Sequence, residues 1–107
     1  MKVVSGNQTL DANELAAYVE FDVSATSTGS LQFGEGSAAS WGSTVVTLYR
    51  SNNRKRWDAL ATPTTVTGFG FTDPIDTSDF LFLRAEVTTV AGAAGLFDVA
   101  PCFKGEE

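Results

Sequence analysis

The chain has 107 residues, of which 43% are apolar and 19% charged, and it carries a net charge of −6. That length suits one domain with one core, and that composition excludes a disordered chain. Thirteen acids against seven bases, no histidine and a single cysteine exclude imidazole catalysis, thiolate metal clusters and an internal disulfide, and they oppose broad affinity for nucleic acid or anionic membranes.

The opening stretch MKVVSGNQTLDANEL has only two valines between Lys2 and polar residues. It lacks the apolar core of a signal peptide, and no run approaches the ~18 residues of a membrane span, so synthesis and folding in a cytoplasm are expected. Residues 1–12 are expected to form an arm that contacts a partner, in front of a single domain over residues 1–107. Asp11 as N-cap with Glu14 three residues on predicts one short helix at most, over residues 11–17.

Beyond it, valine, threonine, phenylalanine and glycine favour strands and turns. Residues 17–24, AYVEFDVS, alternate, with Val19, Phe21 and Val23 facing one way. Residues 24–43 read as a long serine- and glycine-rich loop holding one short strand over 31–33. Residues 43–50 and 57–60 form a hairpin, and TVTGFGF predicts a strand over 65–71. FLFLRAEVTTV gives the longest strand, 80–90. LFDVAPCF closes the set over 96–103, where Pro101 predicts a sheet edge or a strand end and Cys102 a small buried hydrophobe. Six to eight short strands without crossover helices predict an all-β antiparallel sandwich, jelly-roll-like in character.

Four of the seven cations fall in VTLYRSNNRKRWDAL: Arg50, Arg54, Lys55 and Arg56. Ser51 and Asn52 are expected to start the turn through side-chain bonds to the backbone. Val46, Leu48, Leu60 and Trp57 are expected to bury, with Trp57 as the anchor of the hairpin in the core. Trp41, in the loop ASWGS, reads either as cover for the core or as the tryptophan at an interface or a ligand. Arg54, Lys55, Arg56 and Trp41 are therefore the candidate contact residues.

Catalytic candidates are few. Glu20 and Asp22 share one face of a strand, about 7 Å apart, and read as a solvated face. The carboxylates of TDPIDTSDF read as turn residues, with calcium binding as the lesser alternative. The glycines of GEG and GFGF match no phosphate loop. No cofactor, metal or catalytic residue is expected.

The hairpin V-T-L-Y-R-S-N-N-R-K-R-W-D-A-L resembles that of small β-sandwich modules, including discoidin-like carbohydrate- or lipid-binding domains. Together with F-L-F-L-R-A-E-V-T-T and the glycine turn Gly92–Gly95, it also resembles small virion accessory proteins of tailed bacteriophages, of the capsid-decoration or cement kind, over residues 44–100. Arg54–Lys55–Arg56 replaces the usual Asp–Gly of the discoidin tip, and the paired cysteines of many discoidin domains are absent. The phage resemblance implies a non-enzymatic virion protein that touches the major capsid protein or other virion subunits, as a homo-oligomer with a trimer favoured. The alternative is a carbohydrate-binding module, free or on a virion, stacking sugars on Trp41, Tyr49 or Trp57.

Overall fold

The computed structural model describes residues 2–37, 40–90 and 95–105. Eleven strands run through them: β1 (Val3–Val4), β2 (Gln8–Asp11), β3 (Tyr18–Asp22), β4 (Thr28–Gly34), β5 (Val45–Ser51), β6 (Asp58–Ala59), β7 (Thr65–Val66), β8 (Gly70–Phe71), β9 (Ile75–Asp76), β10 (Phe82–Thr89) and β11 (Leu96–Lys104). They form two antiparallel sheets. In the six-stranded sheet, β11 pairs with β1 and β2 on one side and β4 on the other, and β4 pairs beyond that with β8 and β9. In the five-stranded sheet β3, β10 and β5 lie side by side, and β6 and β7 both pair with β5.

The core follows from side-chain alternation. Val19, Phe21, Val46, Leu48, Leu83, Ala85 and Val87 point inward from one sheet, and Leu31, Phe33, Phe97, Val99 and Phe103 from the other; all are buried. Each large apolar side chain so covered contributes ~1.5–3 kcal/mol. At Gly29 the sheet requires glycine, because a Cβ there would lie 2.2 Å from the Cys102 carbonyl oxygen and 2.4 Å from Phe103 Cδ1.

Residues 11–17 form turns in place of the expected helix. Asp11 ends β2, and its Oδ1 accepts the Asn13 N–H at 2.9 Å, a local bond that competes with helix. Ala16 then takes a φ of 69° and donates its N–H to Val87 at 2.9 Å, which turns the chain into β3. The described residues of the expected arm carry β1 and β2, whose backbone groups pair with the chain's own β11.

The expected loop over 24–43 contains β4, seven residues long and paired on both edges; residues 38 and 39 of that span lie outside the described residues. The single strand expected over 65–71 divides. Val66 pairs with Val46 in one sheet, and Gly70, at a φ of 119°, pairs with Phe33 in the other. This segment crosses from sheet to sheet.

Pro101 lies within β11, not at its end. Its register partner Leu31 directs both its N–H and its C=O to Thr72, away from β11. The proline nitrogen therefore faces the other side, where β1 and β2 leave residues 100–102 without a partner strand. A missing N–H is tolerated at such a local edge. Cys102, one residue on, has outward parity and is exposed, against the expected burial. Gly92–Ala94 of the expected glycine turn lie outside the described residues.

Candidate functional site

The basic hairpin tip is built by its small polar residues. Ser51 Oγ accepts the N–H groups of Asn53 and Arg54 at 3.2 and 2.8 Å. Asn53 Oδ1 accepts those of Lys55 and Arg56 at 2.9 and 3.1 Å, and Arg54 occupies the left-handed region at a φ of 59°. Ser51 starts the turn as expected. Asn52 does something else: its Oδ1 accepts the Leu81 N–H at 3.0 Å and ties the tip to the loop before β10. Local side-chain bonds of this kind hold a turn without apolar burial, so the charged side chains are left at the surface.

The cations have different fates. Arg54 folds back over the sheet, its guanidinium 4.3 Å from the Phe82 ring centroid and its Nε 3.4 Å from Glu20 Oε1. Arg56 pairs with Asp58 at 3.3 Å, and both are well exposed. Lys55 and Arg50 have no ion pair among the described residues. Arg50 continues the inward parity of Val46 and Leu48 yet is exposed, so the sandwich is open at this end. A cleft of about 400 Å³ lies there between the hairpin and the 79–80 loop, with Arg50, Arg56, Asn52 and Asn53 against Asp58 and Asp79. A second depression, of about 520 Å³, borders the same loop and is lined by Ala25, Thr26, Thr77, Phe80 and Leu81.

Trp41 takes the core alternative of its reading, and Trp57 departs from the expected core position. Trp41 is buried, stacked on Phe97 at 4.4 Å between centroids and edge-on to Phe33 and Phe69. Its Nε1–H donates to the Thr44 carbonyl at 2.6 Å, which satisfies the one polar group that burial would penalise. Trp57 is only partly buried and lies outside the core. It shares parity with Ala59, which is opposite Tyr49 on the outer face, while Leu60 takes the core position. Residues 57 and 60 differ by an odd number, so an extended chain cannot turn both inward; that spacing was the available signal.

Trp57 instead covers Arg84, a residue the sequence reading passed over. The Arg84 guanidinium lies 4.2 Å from the Trp57 ring centroid and 3.9 Å from that of Tyr18. It pairs with Glu20 Oε2 at 2.8 Å and Glu86 Oε1 at 3.3 Å. These three charged side chains are 18–23% exposed, shielded enough for pairing to matter more than on an open surface. Glu20 thus holds one arginine with each oxygen, and the hairpin is tied down at its tip by Arg54 and at its exit by Trp57. With Arg84 over Trp57 and Trp41 in the core, two of the three rings expected to stack sugars are already engaged.

Glu20 and Asp22 project from the same face as expected, but each has its own cation. Lys2 Nζ is 3.4 Å from Asp22 Oδ1. Hydrogen bonds from the Ser24 hydroxyl and then the Ser24 N–H hold the Asp22 carboxyl below the usual carboxylate range, with Lys2 adding to this. Asp76 is lowered the same way by the hydroxyl and N–H of Ser78. The bonds are nearly identical at the two sites, 2.6 Å from the hydroxyl and 2.9–3.0 Å from the N–H. Thr77, within the second Asp-x-Ser turn, shares a 2.6 Å hydroxyl–hydroxyl bond with the buried Thr26, two residues beyond the first. The carboxylates of TDPIDTSDF therefore include one, Asp76, that is engaged in turn chemistry.

No family model and no curated protein matches the chain. Among solved structures it is similar to the SPBc2 prophage-derived protein YomS, with 14% identity over 92% of this chain and 95% of that one and a TM-score of 0.56. At that identity the likeness establishes a shared all-β fold, and it extends over nearly the whole of both chains.

Proposed function

We propose that the chain is a non-enzymatic structural protein of a bacteriophage particle that acts through protein–protein contacts. The observation that carries this reading is the match in fold, over nearly its whole length, to a prophage-derived protein. The hairpin end adds support: a rigid turn, two cations without ion pairs and an open polar cleft suit contact with an acidic protein surface. The engaged state of Trp41 and Trp57 speaks against a sugar-stacking platform. Within this reading the chain is a capsid-decoration subunit on the virion, a homo-oligomer bound to the major capsid protein or another virion subunit. Binding the assembled shell and not its free subunits stabilises the shell by mass action.

Co-sedimentation with particles of the phage that encodes the chain tests it. Binding at low salt that raises the melting temperature of the shell is expected. Failure to bind heads or tails, with micromolar binding to isolated glycans instead, would overturn it.

A further inference from the structure

One carboxylate holds two arginines, and it holds them differently. Glu20 Oε2 meets the Arg84 guanidinium at 2.8 Å, whereas Glu20 Oε1 meets Arg54 Nε at 3.4 Å. Arg84 is shielded, has Glu86 as a second counter-ion and lies over two rings, Tyr18 and Trp57. Arg54 is 56% exposed and has one carboxylate and one ring, Phe82. Moving Arg84 would dismantle a shielded cluster. Moving Arg54 breaks one long ion pair and one exposed cation–π contact, together worth roughly three- to thirtyfold in an equilibrium constant.

The backbone allows that exchange. The turn fixes Arg54 at a φ of 59°, with its N–H on Ser51 Oγ, and Asn53 Oδ1 holds the next two N–H groups. None of these bonds uses the Arg54 side chain, so the guanidinium can swing away while the tip keeps its shape. Glu20 retains Arg84 as its counter-ion when Arg54 leaves, so no shielded charge is stranded. The departure uncovers the Phe82 ring, which the guanidinium covers at 4.3 Å.

We infer that Glu20 is an internal competitor for Arg54, occupying its guanidinium until a carboxylate of the partner takes that place. Arg50 and Lys55, without ion pairs among the described residues, meet the partner first. Arg54 joins them by exchange, and Phe82 adds an apolar contact beside it. This names the regulation of the contact proposed above, and it rests on that reading for the partner being an acidic protein surface. The exchange lowers affinity by the fraction of chains with Arg54 released. It favours a surface that sets a carboxylate at the tip over one that is merely acidic.

The test is titration of the full chain with a hexaglutamate peptide at about 10 mM salt, where screening is weak, followed by nuclear magnetic resonance. Glu20→Gln should tighten binding roughly three- to thirtyfold. Glu86→Gln makes the same change in net charge and removes a partner of Arg84 only, so it should leave affinity within about twofold. Adding Arg54→Gln to Glu20→Gln should abolish the gain. Equal tightening by the two glutamine variants overturns the inference, as does a gain that survives Arg54→Gln, or no binding by any variant. Should Glu20→Gln fail to fold, the wild type decides: the peptide should shift the Phe82 ring signals, and unmoved signals overturn the inference. Shell binding that Glu20→Gln leaves unchanged would sink the competitor role alone. The expected peptide results from a chain that binds no shell would sink decoration of the shell and leave the exchange standing.

Discussion

Trp41 and Trp57 have the same indole in opposite settings. Trp41 comes from a serine- and glycine-rich stretch and ends in the core, stacked on Phe97. Trp57 follows the basic tip of a hairpin and ends on the outer face, over Arg84. Flanking composition reports what the backbone can do; burial is decided by parity and by which strand passes behind. The first ring is held by apolar packing, which is indifferent to salt. The second is held by a guanidinium that two carboxylates keep in place, and that assembly depends on charge.

Substitutions separate the two. Trp41→Ala should lower stability by ~3–5 kcal/mol, read from denaturant unfolding and unchanged by salt; a loss below ~1 kcal/mol would mean that the aromatic cluster relaxes around the gap. Glu20→Gln should cost ~1–3 kcal/mol, since it leaves Arg84 and Arg54 short of a counter-charge in a half-buried place. Trp57→Ala should cost ~0.5–2 kcal/mol, with Trp57→Phe retaining most of it; equal costs at Trp41 and Trp57 would abolish the distinction between the rings.

The smallest effect is on pH dependence. The folded-state values of Asp22 and Asp76 lie below the ordinary aspartate value of 3.8. Their contribution is complete above that value and is lost as pH falls through the lowered ones. Asp22→Asn with Asp76→Asn should flatten the acid limb of the stability curve below about pH 4 by slightly lowering stability above it, where the two carboxylates contribute, and leave the acid end little changed. An unaltered acid limb would assign acid sensitivity to other carboxylates.

Much of the fold was legible where alternation is strict. Val19, Phe21 and Val23, or Leu83, Ala85 and Val87, announce their strands and their inward faces without help. Other short strands were not. β1, β7, β8 and β9 have two residues each, too few to display a period, and they exist because a longer neighbour supplies their hydrogen bonds. The hairpin was legible from its turn residues. The Arg84 cluster was not, because Glu20 and Arg84 become neighbours only through the β3–β10 register, which local sequence does not encode.

β11 has a consequence for how the chain is made. Residues 96–104 pair with β1 and β2 on one side and with β4 on the other, so early strands wait for a late one. While the nascent chain grows, β1 and β2 have no partner strand and β4 has β8 and β9 on one edge only, and such open edges pair with strangers. In the other sheet β5 pairs locally with β6 and β7, but this sheet requires closing a loop that spans nearly the whole sequence, from β1 to β11, a slow step. A chain cut short before residue 96 would therefore be recovered as aggregate in the cell, whatever the quality of its remaining strands.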